Sequence, residues 1–103
     1  MATGDLCFDA ELHRLKGEWL LAHHPHRHSE AEEYYRVALV VAREQEARLW
    51  ELRAAVGLAR LWRDDGKRED ARDLLAPIYG WFTEGFDTLD LKEAKTLLDA
   101  LES

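Results

Sequence analysis

Proline and glycine are scarce in this chain: of 103 residues, two are Pro (Pro25 and Pro77) and six are Gly. So few turn-formers leave little material for a β-sandwich or barrel. Cysteine occurs once, as Cys7, so no internal disulfide can form and nothing points to an oxidising compartment. No apolar run approaches the ~20 residues that a bilayer span requires. The start, Met1 to Asp5, has neither the basic nor the apolar region of a signal peptide. A basic excess is missing as well. With 14 Lys and Arg against 21 Asp and Glu, the net charge is −7, which repels nucleic acid phosphates and anionic lipid heads. The expectation is a cytoplasmic chain that engages no membrane and no nucleic acid.

Apolar residues make up 47% of the chain, enough for one modest core, and they recur at helical spacing almost throughout. Phe8, Leu12, Leu15 and Trp19 form one stripe over about residues 8–23. That segment ends in His23-His24-Pro25-His26-Arg27-His28, where Pro25 disfavours helix in the residue before it. Ser29 and Glu32 match the S-x-x-E capping box, which predicts a helix start. The second helix turns Ala31, Tyr34, Tyr35, Ala38 and Val41 toward a core. No Gly or Pro lies between Ser29 and Gly57, yet one helix from Ser29 to Asp65 would be roughly 55 Å long. A break at Glu46–Arg48 is therefore predicted.

The third helix then runs from about Leu49 to Asp65, with Leu52, Ala55, Val56, Ala59 and Trp62 facing inward and Gly66 as its cap. A fourth, about residues 67–83, presents Ala71, Leu74, Leu75, Ile78 and Phe82. Pro77 should bend or split it, since proline lacks an amide donor. Gly85 closes the stretch. A last helix from about Thr88 to Leu101 uses Leu91, Ala94, Leu97, Leu98 and Leu101. No segment alternates as a strand would. The fold class is all-α.

Ala31, Tyr35 and Ala38 recur 40 positions later as Ala71, Leu75 and Ile78. On the preceding helices, small Gly17 and Ala59 are each followed at three positions by large Leu20 and Trp62. This order resembles the tetratricopeptide (TPR) pattern, although the period exceeds the usual 34 and the closing proline is absent. An ordinary αα-hairpin bundle is the alternative. Ala10 to Glu18, Glu51 to Ala55, and the stretch from Gly66 to Leu101 with Ala76 to Asp87 resemble the C-terminal TPR tail of large bacterial signalling proteins. There the tail follows an ATPase module, often joined to an adenylate cyclase or a LuxR-type regulator. The resemblance implies one domain over 1–103: a flexible 1–7, repeat one at 8–46, repeat two at 49–83 and a capping helix at 88–102. It also implies docking or scaffolding without catalysis. The family's ATP site does not carry over, because Gly66-Lys67 is followed by Arg68 and position 61 is Leu61, where a P-loop needs Gly.

His23, His24, His26 and His28 crowd six positions, and imidazoles bind Zn²⁺, Ni²⁺ or Cu²⁺. A defined site needs fixed geometry, whereas this is a loop interrupted by Pro25, so a solvated loop is the preferred reading. A metal-binding or metal-sensing protein using His24, His26 and His28 is the rival. Cys7 has no His or basic neighbour to activate it. The many carboxylates read as solvated faces, and no catalytic residue or cofactor is expected. Arg53, Arg60 and Arg63 fall on one side of the third helix, which in TPR proteins lines the concave surface. There they would hold a partner's carboxylates, unless they pair with Glu51 or Asp64 on a solvated face. The first helix carries more apolar residues than one inward stripe needs. Phe8, Leu12, Leu15 and Trp19 are therefore expected to form an exposed patch that joins two copies as a homodimer.

Overall fold

Three helices begin at His28, Arg48 and Arg68, an even step of 20 residues, and the turns before the second and third are built alike. The amide of Ala47 donates to the carbonyl of Ala42 at 2.9 Å and that of Glu46 to Arg43 at 3.1 Å. The amide of Lys67 donates to Trp62 at 2.7 Å and that of Gly66 to Arg63 at 3.0 Å. Each turn needs one left-handed residue, supplied by Glu46 (φ 54°) and Gly66 (φ 84°). The computed structural model describes the backbone of residues 4–82 and 89–102 and the side chains of 10–82 and 89–101. The helices are α1 (Gly4–His23), α2 (His28–Glu44), α3 (Arg48–Asp64), α4 (Arg68–Gly80) and α5 (Leu89–Glu102). No strand occurs among the described residues, so the chain is all-α there. No described helix is long and apolar enough to cross a membrane.

The helices make two hairpins, α1–α2 and α3–α4, followed by α5. Packing sorts them into two layers: α1, α3 and α5 lie side by side, α2 covers α1 and α3, and α4 covers α3 and α5. Because α3 sits at the centre of both layers, Leu52, Ala54, Ala55, Val56, Leu58, Ala59 and Leu61 are all buried. The six residues of the 40-residue repeat, Ala31, Tyr35, Ala38, Ala71, Leu75 and Ile78, are buried together with them. The break at Glu46–Arg48 is present, and the turn at Pro25 separates α1 from α2. Gly85 lies outside the described residues.

Two expectations are corrected. Ser29 does not cap α2, which starts one residue earlier, after Arg27, with no side-chain cap bond. Glu32 instead accepts hydrogen bonds from Trp62 Nε1 at 3.1 Å and Arg36 Nε at 2.8 Å, joining the two hairpins. Burial pushes the Glu32 carboxyl up, but these bonds outweigh it and hold the group below its ordinary range. Pro77 does not split α4, which continues unbroken to Gly80. Both Pro77 and Asp73 are exposed, so water can meet the carbonyl that the missing amide leaves free one turn earlier. Helix α1 starts at Gly4, four residues before the expected start of the first repeat; residues 1–3 lie outside the described residues.

The tightest contact is between α2 and its two neighbours. A Cβ added to Gly57 would lie 2.8 Å from Tyr35 Cζ, and one added to Gly17 would lie 3.3 Å from the same atom. The phenol ring is thus wedged between two glycines. Alanine is better than glycine in a helix by ~1 kcal/mol, but overpacking a buried ring costs about 1–3 kcal/mol. Gly57→Ala is expected to lower the melting temperature by roughly 5 °C or more. Gly17→Ala, at ordinary-to-tight contact, should change it far less. Thermal melts followed by circular dichroism check this ranking, and equal melts would refute the wedge.

Candidate functional site

The inner layer is concave. Helix α3 forms the floor of a groove of about 340 Å³, α1 supplies one wall with Arg14 and Glu18, and α5 supplies the other with Asp90 and Glu93. Arg53, Arg60 and Arg63 all line it, because steps of seven and three keep them on one side of α3. Their surroundings differ. Arg53 donates to both Asp90 oxygens, from Nε at 3.2 Å and Nη2 at 3.1 Å, reaches Glu11 at 3.5 Å, and lies over the Trp50 ring at 4.6 Å. It therefore ties α1, α3 and α5 together. Arg60 approaches Glu93 at 3.5 Å without a hydrogen bond. Arg63 pairs with its own neighbour Asp64 at 3.3 Å. Glu51, the other suggested partner, instead accepts from Arg43 Nε at 2.8 Å.

Tyr35 enters this groove from the opposite layer. Its ring is 2% exposed, yet it lines the groove, because the two glycines leave a gap between α1 and α3 through which the ring passes. Glu18, Arg14 and Arg60 line the groove with it, and their charges act on the phenol. Burial, reinforced by the Glu18 carboxylate, raises the phenol to about 12, against the opposing pull of Arg14 and Arg60. The hydroxyl is a neutral O–H at any physiological pH. Arg14 is paired on both sides: Glu11 accepts from its Nε at 2.8 Å and its Nη2 at 2.6 Å, and Glu18 accepts from its Nη1.

The α1 stripe faces outward. Leu12, Leu15 and Trp19 are 37%, 47% and 58% exposed, while Ala10, Gly17 and Leu20 form the inner face. The side chains of Phe8 and Cys7 lie outside the described residues. At the end of the stripe Trp19 meets the His23 ring at 4.6 Å and His24 at 6.2 Å. His24 and His26 are edge-on at 6.1 Å, and His28 turns away to Asp65, with Nδ1 to Oδ1 at 2.6 Å. His24, His26 and His28 are therefore not gathered. Among the described residues no group of three His, Cys, Asp or Glu side chains is placed to hold a metal ion.

Sequence reasoning reached the three arginines but missed Tyr35, Glu11, Arg14, Glu18, Asp90 and Glu93. The signal for Tyr35 was available: Gly57 stands 40 residues after Gly17, at the same repeat interval, and matches it better than Ala59 does. Comparison with family models, with curated proteins and with solved structures gives no match.

The phenol yields a stability prediction. Tyrosine in the unfolded chain titrates near its ordinary value of about 10, and in the fold near 12. Because the folded state prefers the protonated form, this contribution is fully present below pH 10 and is lost as pH rises toward 12. Two units at ~1.4 kcal/mol each bound the loss at about 3 kcal/mol. Urea denaturation of the wild type and of Tyr35→Phe at pH 8, 10 and 11.5 checks it. The variant should show a clearly smaller alkaline loss, and parallel losses would refute the assignment.

Proposed function

We propose that this chain is a non-catalytic TPR-type module that docks an extended protein segment in the groove between α1, α3 and α5. The observation that carries the reading is the convergence of Arg53, Arg60 and Arg63 on that one groove. Guanidiniums hold carboxylates and backbone carbonyls through directional N–H donors, and Arg60 and Arg63 keep donors that their present partners use poorly. The likeness of Ala10 to Glu18 and of Gly66 to Leu101 to the tails of bacterial signalling proteins supports a scaffolding role in such a pathway, in the cytoplasm. Reversing both charges, Arg60→Glu with Arg63→Glu, tests it, since both side chains are exposed and the fold should persist. Proteins cross-linked to the wild-type groove from a bacterial extract should be lost at least tenfold with the double variant, at unchanged melting temperature. Capture that ignores the reversal would sink the reading.

A second contact is proposed for the outer face of α1, with another copy of the chain. A twofold antiparallel pairing centred between Leu15 and Lys16 sets Leu12 of each copy against Trp19 of the other, closing both patches at once. An exposed tryptophan beside leucines is also the composition favoured at interface centres. Light scattering at micromolar concentration should return twice the chain mass for the wild type and the single mass for Trp19→Glu or Leu12→Glu. A wild type that stays monomeric refutes the dimer.

A further inference from the structure

We propose that a cleft between α3 and α5 receives one large apolar side chain of the docked segment, flanked in sequence by carboxylates, an inference that rests on the groove being a docking site. The cleft continues the groove over α5, since Arg60, Arg63 and Glu93 line both, and it adds about 340 Å³. Its α5 side is a second stripe on that helix. Leu91, Ala94, Leu97 and Leu101 go to the core, whereas Leu89, Lys92, Thr96 and Ala100 recur along the cleft at steps of three and four. Leu97 serves both: it is 3% exposed and still lines the cleft, which gives the floor an aliphatic surface. Leu89 is 71% exposed, the most of any large apolar residue described. A leucine exposed alone needs no explanation, but one set at an aliphatic cleft under a charged rim marks a contact site.

The rim selects what flanks the apolar group. Lys95 pairs with Asp99 on its own helix at 4.0 Å, whereas Lys92 has no ion-pair partner among the described residues. Arg60 stands 3.5 Å from Glu93 without a hydrogen bond, and Arg63 leans on its exposed neighbour Asp64 at 3.3 Å. All three cations are exposed, and among the residues described at the cleft Glu93 is the one acid that opposes them. In a chain of net charge −7 this is a local reversal of sign. The Thr96 hydroxyl donates to the Lys92 carbonyl at 2.9 Å, so its proton is spent within α5. The side-chain donors left for a ligand are therefore the cationic ones. They stand on two facing helices, Arg60 and Arg63 on α3 and Lys92 on α5, which matches carboxylates spaced along a chain better than the single head of a free fatty acid. The apolar side chain between them covers Leu89 and the floor.

The test uses the full chain and three capped pentapeptides, titrated by ¹H–¹⁵N NMR. One has a central leucine between pairs of aspartates, the second replaces the leucine by alanine, and the third replaces the aspartates by asparagines. The first should shift the amides of Lys92, Thr96 and Ala100 and saturate at least fivefold more tightly than either of the others. Leu89→Ser should cost the first peptide at least threefold and bring it toward the alanine peptide. Lys92→Glu should cost it at least fivefold and leave the asparagine peptide unmoved. Both positions are exposed, so the fold should persist in both variants. Equal binding of the leucine and alanine peptides overturns the cleft as an apolar anchor, and equal binding of the aspartate and asparagine peptides overturns its cationic rim. Binding that ignores both Leu89→Ser and Lys92→Glu, or a wild type that binds none of the three, overturns the proposal outright. Octanoate that saturates at lower concentration than the leucine peptide would make the occupant a free amphiphile and overturn the segment. The docking reading fails separately, when the Arg60 and Arg63 reversal leaves capture intact.

Discussion

Tyr35 stands where α1, α2 and α3 meet, and the approach of those helices is set by what its ring displaces. Flanking it with Gly17 and Gly57 removes two side chains from the crossing, so the ring takes their place and the axes close on it. In the second hairpin the equivalent position is Leu75, fully buried but without an oxygen. The two hairpins thus share a packing plan, but the first carries a phenol oxygen at this position and the second carries none. That atom reaches the groove only because neither neighbouring helix carries a Cβ at the crossing. Packing between layers and the composition of the concave face are consequently one constraint, not two.

The outer rim is fastened by charges whose settings differ in value. Arg53 with Asp90, Arg60 with Glu93 and the Arg68 bond to the Ala100 carbonyl link α5 to the second hairpin. Exposed pairs of this kind contribute about 0–1 kcal/mol each, so α5 depends chiefly on Leu91, Ala94, Leu97 and Leu101 against the core. Glu51 is another matter. It is 3% exposed, sits in the first turn of α3, and has Arg43 of α2 as its partner. Losing Arg43, whose own side chain is half exposed, would leave the buried Glu51 carboxylate without its partner, which makes this the costlier place to intervene. Next to it Arg48 lies over the Trp81 ring at 4.9 Å, covering the turn that joins the hairpins.

Helix number, class and the 40-residue period were legible because each rests on spacing alone. The break before Arg48 was legible only by length, since its left-handed residue is Glu46 and no glycine marks it. Gly66, doing the same work 20 residues later, was plain. The capping box failed because Glu32 is drawn to Trp62 and Arg36, a tertiary claim on the side chain that local sequence cannot register. In α1 the most apolar stripe proved to be the exposed one, while the inner face is built on small Ala10 and Gly17 with Leu20. Close helix packing favours small residues there, and the outward patch of Leu12, Leu15 and Trp19 is what the surplus of large apolar residues on α1 implied. Of the groove, the arginines were visible from spacing on one helix; their partners lie on α1 and α5 and needed the fold.

On the docking reading, a groove whose arginines already hold carboxylates binds by exchange. Each acid on an incoming segment must displace one that is present, and the net gain is the difference between two similar pairs. Affinity gained that way is small where the resident pair is well made, as for Arg53 between Glu11 and Asp90, and larger where it is loose, as for Arg60 with Glu93. Selectivity would accordingly be concentrated at one end of α3. The well-made pairs serve another purpose: they tie both walls to the floor, so a docked segment would meet a groove already shaped.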